Sequence, residues 1–453
     1  MIKIWNNEKV DWRIKFKSDG EEASDFLSVS TEISEGTQVL YIGLGKSSEL
    51  TTEKLSRAAA KAVKTLRELG AGSALFDADT YEIAALAQGA ALAEHGQEKF
   101  SSESKRSELK IYIKASEREK AERALAQAYP LINAICFARD LVNHPANKLT
   151  PGLMAQRMKE AAERVGAEVQ IIDAAEAKML NMEAFLTVGT SASHSPYLIV
   201  LRYRGGKPEQ APIALVGKGV TCDTGGYCVK PGDSMLGIKG DMAGGAAVCG
   251  ALLALAENKI PINVTAIIPA VENRISPDSF IPGDVIGSMS GKTIEIINTD
   301  AEGRLILADA ITYAIRCEGA EKVVDIATLT GAVVNMFGFT TAGYLTNDEK
   351  LNDAFMAAYG RSGEQYWRLP IFPEYREMNS SAIADIANSS HGGCGTITAG
   401  LFIGAFAEEK PWLHIDIAGT AWVDSPKREY QNKGATGAGV STLYELCRGL
   451  ANE

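Results

Sequence analysis

The sequence predicts an α/β protein: a small N-terminal α/β domain joined by a long helix to a larger α/β domain with a mixed, mostly parallel sheet. Three observations carry this expectation. At 453 residues the chain exceeds one ordinary hydrophobic core. Short β-branched runs alternate with stretches of helical period along most of it. A long helical pattern over 116–142 ends on Pro145, Thr150 and Pro151, a boundary signal. The expected domains are therefore 1–115 and 151–453, with 116–150 as a linker helix.

In the first domain, 26–30 and 38–44 read as strands, 51–69 as a helix with apolar spacing, 73–76 as a strand, 81–94 as a helix and 109–113 as a strand. Gly43-Leu44-Gly45-Lys46 lacks the spacing of a phosphate loop, and no catalytic constellation stands out here. The linker helix is rich in Ala, Glu and Arg, with an interruption expected at Pro130. Thr150-Pro151 opens the next helix, a cap followed by proline at the first helical position. Beyond it strands are expected at 167–172, 197–203, 213–216, 263–268, 293–297, 322–326 and 413–417. Helices fall between most of them, which argues for a sheet covered on both faces. No internal repeat or low-complexity tract interrupts the pattern.

Composition narrows the function. With 46% hydrophobic and 23% charged residues this is an ordinary globular composition. The start lacks a basic region followed by an apolar stretch, and no run reads as a membrane span, so the cytoplasm is the expected compartment and no membrane partner is expected. Seven cysteines, an odd number without a CxxC pair, read as free thiols in a reducing compartment. The five histidines show no HExxH or HxH spacing, so any metal would be held mainly by oxygen. The net charge of −11 is uneven: residues 1–150 carry 21 Lys+Arg against 22 Asp+Glu, leaving 25 against 35 for the rest. Neither part has the basic excess of a dedicated nucleic-acid binder.

Two stretches carry chemistry. In Asn298-Thr299-Asp300-Ala301-Glu302-Gly303-Arg304-Leu305, two carboxylates and a guanidinium recur at every second residue between a strand pattern and a helix pattern. Acids at a helix start also suit the helix dipole, but Arg304 gains nothing from it. Upstream, a strand runs into a glycine-rich segment with Lys218, Asp223 and Lys230, and Asp241 stands before a small-residue helix. Singly, Lys218 suits a solvated loop and Asp241 a helix cap. Together with Asp300 and Glu302 they form a set of carboxylates able to hold two divalent cations, roughly 3.5–4 Å apart in such sites, with a lysine amine completing the shell if the metals lower its pKa. His391, among glycines, reads as a loop residue, and His414 as a buried core residue with a hydrogen-bond partner.

The octapeptide at 298–305 is similar to the signature of the leucyl aminopeptidase family, the cytosol aminopeptidases. Val216 to Asp223 resembles that family's VGKGxTFDSGG segment, and Asp241-Met242 its KxDMGGAA. Resemblance extends through Arg139–Asn143, Ala327–Ala332, Trp367–Pro370, Trp412–Ala421 and Gly434–Gly437, so that it covers essentially 136–450. The first 115 residues correspond only in position and rough pattern.

The resemblance implies a metal-dependent aminopeptidase, in which a metal-bridged hydroxide attacks the scissile carbonyl at the N-terminus of a peptide. Asp223, Asp300 and Glu302 would hold or bridge an exchangeable metal, and Lys218, Asp223, Asp241 and Glu302 a tighter one. Lys230 would stabilise the oxyanion, and Arg304 would hold a bicarbonate ion acting as general base. Asn298, Thr328, Leu329, Thr330 and Gly331 would line the cleft, with Ile238, Ala418 and Ala421 at the pocket for the first side chain. Zinc or manganese, and also magnesium or cobalt, suit such ligands.

The family also implies a homohexamer. Some bacterial members double as DNA-binding regulators, a role the near-neutral N-terminal charge argues against. Cys222 and Thr224 replace the family's Phe and Ser, Leu236, Ile238 and Ala243 stand where Asp, Met and Gly are frequent, and Tyr227 with the run 230–235 is similar to the peptidase B branch.

Overall fold

The structure, a computed structural model, describes residues 2–20, 24–34, 36–77, 81–97, 100–101, 109–390 and 392–451; His391 lies outside them. The chain divides into two compact units, Met1–Cys136 with Val423–Gly434, and Phe137–Trp422 with Ala435–Glu453.

The first unit contains β1 (Lys3–Ile4), β2 (Trp12–Ser18), β3 (Val29–Ser34), β4 (Thr37–Gly45), α1 (Thr52–Glu68), β5 (Ser73–Asp77), α2 (Ile83–Glu94), β6 (Lys110–Lys114) and the start of α3 (Arg118–Asn143). Its sheet has the order β1-β6-β5-β2-β4-β3, parallel except for the β3–β4 hairpin. Ile14, Leu40, Phe76 and Ile113 face Ala59, Val63, Leu86 and Leu125 in its core. Strand β2, at the middle of the sheet, is not foreseen from sequence, because Arg13, Lys15 and Lys17 make it read as polar and only Ile14 in it is fully buried. Helix α3 runs through Pro130 without the expected interruption. The proline removes one helical hydrogen bond, and burial of Ala121, Leu125 and Ile132 on the same helix offsets that loss.

The second unit is built on α4 (Pro151–Arg164), β7 (Glu168–Ile172), α5 (Ala174–Met179), α6 (Glu183–Gly189), β8 (Tyr197–Arg204), β9 (Ile213–Gly217), β10 (Gly219–Asp223), α7 (Ala243–Glu257) and β11 (Asn263–Asn273). It continues with β12 (Val285–Ile286), β13 (Ile294–Glu295), α8 (Gly303–Arg316), β14 (Lys322–Ala327), α9 (Gly331–Phe337), β15 (Thr341–Thr346), α10 (Glu349–Ser362) and β16 (Gln365–Arg368). The last elements are α11 (Pro373–Glu377), β17 (Ile386–Ala387), α12 (Gly395–Gly404), β18 (Trp412–Asp416) and α13 (Val440–Leu450). The large sheet has the order β16-β15-β18-β14-β9-β11-β8-β7, with β10 also on β11. Strands β18, β14, β9 and β11 form a parallel centre, and β15 and β8 join it antiparallel, which gives the mixed sheet expected.

Two sequence expectations change. The run 293–297 supplies only β13, which pairs with β12 and β17 outside the large sheet. Its pairing stops because the Asn388 side-chain oxygen accepts hydrogen bonds from the backbone N–H groups of Ile297 and Asn298, at 2.8 and 3.2 Å. Second, Ile238–Glu257 is long and apolar enough to cross a membrane, with mean hydropathy 1.4, yet 83% of it is buried inside the protein. It is the small-residue core segment containing α7, whose residues 243–256 are all buried. Its glycines allow close approach to the sheet: a Cβ on Gly217 would lie 2.4 Å from the Gly244 carbonyl oxygen, and one on Gly244 would lie 2.0 Å from that of Ile326.

Candidate active site

Strands β9 and β10 are one line of chain broken at Lys218. The Lys218 N–H donates to Ile326 O at 3.1 Å and its carbonyl accepts from Gly245 N at 2.8 Å, so its backbone is pinned between β14 and α7. The side chain, nearly all buried, brings Nζ within 2.7 Å of Asp241 Oδ2 and 2.9 Å of Glu302 Oε1, and it donates to Thr328 O at 3.2 Å. Asp223 ends β10. Its Oδ1 accepts from Gly225 N and from Asn273 Nδ2, both at 2.9 Å, and its Oδ2 lies 2.7 Å from Lys230 Nζ. Lys230 also pairs with Asp300. Gly225 has φ +87°, and a Cβ there would lie 2.5 Å from Cys228 O and 2.9 Å from Asp300 Oδ1, so the turn after Asp223 requires glycine.

The signature loop is laced by hydrogen bonds. Thr299 Oγ1 donates to Gly225 O at 2.6 Å and accepts from Cys228 N at 2.8 Å, Asn273 Nδ2 donates to Thr299 O at 3.0 Å, and Asp300 N donates to Asn298 Oδ1 at 2.8 Å. Glu302 is fully buried at the start of α8. Ligand atoms of Asp223, Asp300 and Glu302 all lie within 4.8 Å of one another.

Four carboxylates thus share two ammonium groups, a formal excess of two negative charges. Both Glu302 oxygens and Asp241 Oδ2 are buried without a directed hydrogen bond. Burial, and then the nearby Asp223 charge, pushes Glu302 up to about 8, and burial pushes Asp241 up to about 6 and raises Asp300. Burial disfavours the Lys218 ammonium, but Asp241, Glu302 and Asp223 outweigh it and hold it above the ordinary lysine range; Lys230 is raised for the same reason. Crowded oxygens with excess negative charge and unfilled acceptors suit hard or borderline divalent cations.

A cavity of about 240 Å³ is lined by Lys218, Asp223, Lys230, Asp241 and Asp300 on one side, with Thr328, Leu329, Thr330, Gly331, Ile238, Ala418 and Ala421 among the rest. Of the residues expected to form the site, Asn298, Glu302 and Arg304 do not line it. Asn298 shapes the loop, Glu302 lies beneath Lys218, and buried Arg304 donates from Nη1 to Asn388 O at 2.6 Å, while its Nε has no hydrogen-bond partner. Burial lowers the Arg304 pKa to about 10.

Three organising residues are not foreseen from sequence. Asn273 ties Asp223 to the signature loop. Asn388 accepts from Ile297 and Asn298 and donates to Asn298 O at 2.7 Å. Asp416 accepts from Leu329 N and Ala418 N, each at 3.1 Å, and from Thr330 Oγ1 at 2.6 Å, which joins the two walls of the cleft.

A mixed α/β sheet carrying a buried, lysine-containing carboxylate cluster beside a cleft defines a metal-dependent hydrolase. The family model "Cytosol aminopeptidase family, catalytic domain" matches residues 136–444, and that of the family's N-terminal domain matches 14–104. The chain belongs to the cytosol aminopeptidase family, whose members are metal-dependent and remove N-terminal residues from peptides. It is 43% identical over 422 residues to a probable cytosol aminopeptidase of Clostridium perfringens, covering 90% of this chain and 85% of that one. A probable cytosol aminopeptidase of Clostridium tetani is 40% identical, covering 97% and 92%. Among solved structures, the bottromycin maturation enzyme BotP in complex with Mn matches with TM-score 0.90 at 34% identity, covering 98% of this chain and all of that one.

Proposed function

We propose that this aminopeptidase works through two divalent ions, one held by Lys218, Asp223, Asp241 and Glu302 and a more exchangeable one by Asp223, Asp300 and Glu302. The observation that carries the reading is the convergence of four carboxylates and Lys218 on one point, with an excess of negative charge and acceptor oxygens that receive no hydrogen bond. Ions bound there would polarise the scissile carbonyl and lower the pKa of a water molecule. Lys230 offers its ammonium to the carbonyl oxygen as negative charge develops. Arg304, with a buried Nε free of hydrogen bonds, offers a site for a bicarbonate ion that takes the proton of the attacking water. The 328–331 loop and Asn298 shape the peptide's path, and Ile238, Ala418 and Ala421 face its first side chain.

Charge accounts for cutting at the N-terminus: a free α-amino group is attracted to the carboxylates, and an internal amide is not. The site suits manganese or zinc. A homohexamer in the cytoplasm, acting on peptides and not on nucleic acid, completes the reading.

The test is hydrolysis of aminoacyl-p-nitroanilides by metal-stripped protein with Mn²⁺ or Zn²⁺ restored, beside Asp300→Ala. Release that returns with metal and is absent in the variant supports the reading; full activity in the stripped protein overturns it.

A further inference from the structure

The wall of the cleft opposite the carboxylates is built of very small side chains up to one large one. Ala418 and Ala421 are fixed by the backbone: Ala418 N donates to Asp416 Oδ1 at 3.1 Å, Ala421 N to Ile417 O at 2.9 Å, and Ala421 O accepts from Thr436 N at 3.1 Å. Gly237 and Gly240 present no side chain from the facing segment. The recess they leave ends on the half-buried indole of Trp422, which lines the same cavity. The indole is backed by a cation. Lys239 Nζ lies 5.2 Å from the ring centroid and donates to Asn143 O at 2.8 Å, and Lys239 itself does not line the cavity. An ammonium on a tryptophan face fixes the ring, and the hydrogen bond to Asn143 holds that ammonium in place.

We infer that Trp422 is the specificity-determining wall of the subsite for the N-terminal side chain, and that this subsite takes large apolar and aromatic side chains in preference to small or acidic ones. The inference rests on the aminopeptidase activity and adds a residue and a substrate class to it. Size supports it first: a cavity of roughly 150 Å³ already admits a benzene ring, and the cleft here measures about 240 Å³. Alanines and glycines leave that space to the ligand, and the indole offers a ring a flat surface for offset or edge-on packing. Charge supports it second. The only cations lining the cavity are Lys218 and Lys230, and each is committed to two carboxylates. A substrate carboxylate in the recess would find no counter-charge and would face four acids.

The experiment compares kcat/KM for phenylalanyl, alanyl and glutamyl p-nitroanilides in the manganese-loaded enzyme. The wild type is expected to prefer phenylalanyl over alanyl by about tenfold or more, the scale on which apolar pockets discriminate size, and to cleave glutamyl least. Trp422→Ala lowers the phenylalanyl to alanyl ratio by about that factor. Trp422→Phe keeps the ratio within about threefold, since a ring is retained. Ala421→Leu, which fills the recess with the indole intact, lowers it again. A wild-type glutamyl rate equal to the phenylalanyl rate overturns the inference, as does a ratio unchanged in both Trp422→Ala and Ala421→Leu while alanyl substrate is still cleaved. Should Trp422→Ala lose all turnover, the other two variants decide: a ratio kept in Trp422→Phe and lost in Ala421→Leu supports the assignment, and any other pair of results overturns it. Absence of all cleavage by the wild type fails the aminopeptidase reading itself, a different outcome from a wrong preference.

Discussion

Lys218 and Glu302 lie 2.9 Å apart, the lysine on the break between two strands and the glutamate fully buried at the start of a helix. The pair ties the glycine-rich segment to the signature loop, and Asp241 joins it on the other side of the ammonium. Removing one partner of a buried pair leaves an uncompensated charge, at a cost of about 3–5 kcal/mol. Lys218→Met is therefore expected to lower the urea stability of the metal-free protein by that amount. A change below about 1 kcal/mol, the scale of exposed pairs, would show that Lys218 is a bystander.

Gly303 is expected to be as sensitive as the ligands. A Cβ there would lie 2.4 Å from Lys218 Cε and 2.6 Å from its Nζ. Gly303→Ala should displace the lysine side chain, weaken metal affinity by at least about tenfold, the scale of lost ligand support, and leave the circular dichroism spectrum unchanged. Metal titration by calorimetry checks it, and unaltered affinity would refute the crowding argument.

Metal removal should be visible without substrate. An ion that binds only the folded state stabilises it by about 2.7 kcal/mol at a hundredfold excess over Kd. Saturating Mn²⁺ is thus expected to raise the Tm of the stripped wild type and to leave Asp300→Ala closer to its metal-free value. Equal shifts in both would place the ion elsewhere.

His414 gives stability a pH dependence away from the metal ligands. Its ring pairs with Asp325, whose other oxygen accepts from Trp412 Nε1 at 2.7 Å. Burial disfavours the imidazolium, but the charges of Asp325 and Asp416 outweigh it and hold the His414 pKa above its ordinary value of 6.5. The folded state therefore binds the proton more tightly than the unfolded state. The resulting stability is fully present below pH of about 6.5 and is lost as pH rises through the folded value. Urea midpoints should fall from about pH 6 to about pH 9 in the wild type, and His414→Phe should flatten that part of the slope. Parallel pH curves for the two proteins would argue against the assignment.

Much of the site was legible because its groups are chemically costly where they stand. Lysines and acids beside glycine-rich turns, and acids alternating with Arg304, have no cheap structural explanation as a set, and the fold brings Lys218, Asp223, Asp241, Asp300 and Glu302 together. Asn273, Asn388 and Asp416 escaped because one polar residue at a strand end looks ordinary until its partners, up to 91 positions away, are known. Trp422 escaped for a similar reason, since an aromatic after a small-residue run reads as core. Among the strands, β9, β11 and β14 show unbroken aliphatic runs, whereas β2 hides behind lysines and β15, Thr-Ala-Gly-Tyr-Leu-Thr, behind small and polar residues. The shortening of 293–297 to two residues depended on a side chain almost a hundred positions later, which no local pattern contains.

The register of β9 also bears on how the chain is made. Its residues 213–216 pair with β11 at 264–267, but its other edge waits for β14 at 322–326, and β14 in turn waits for β18 at 412–416. At ribosomal speeds of about 5–20 residues per second, the hundred or so residues between β9 and β14 take roughly 5–20 s to appear. Through that interval the nascent chain carries an unpaired, wholly apolar edge, Ile213-Ala214-Leu215-Val216, of the kind that recruits chaperones or neighbouring chains. Slowing translation between these strands is a route to aggregation that leaves the finished enzyme's own stability untouched.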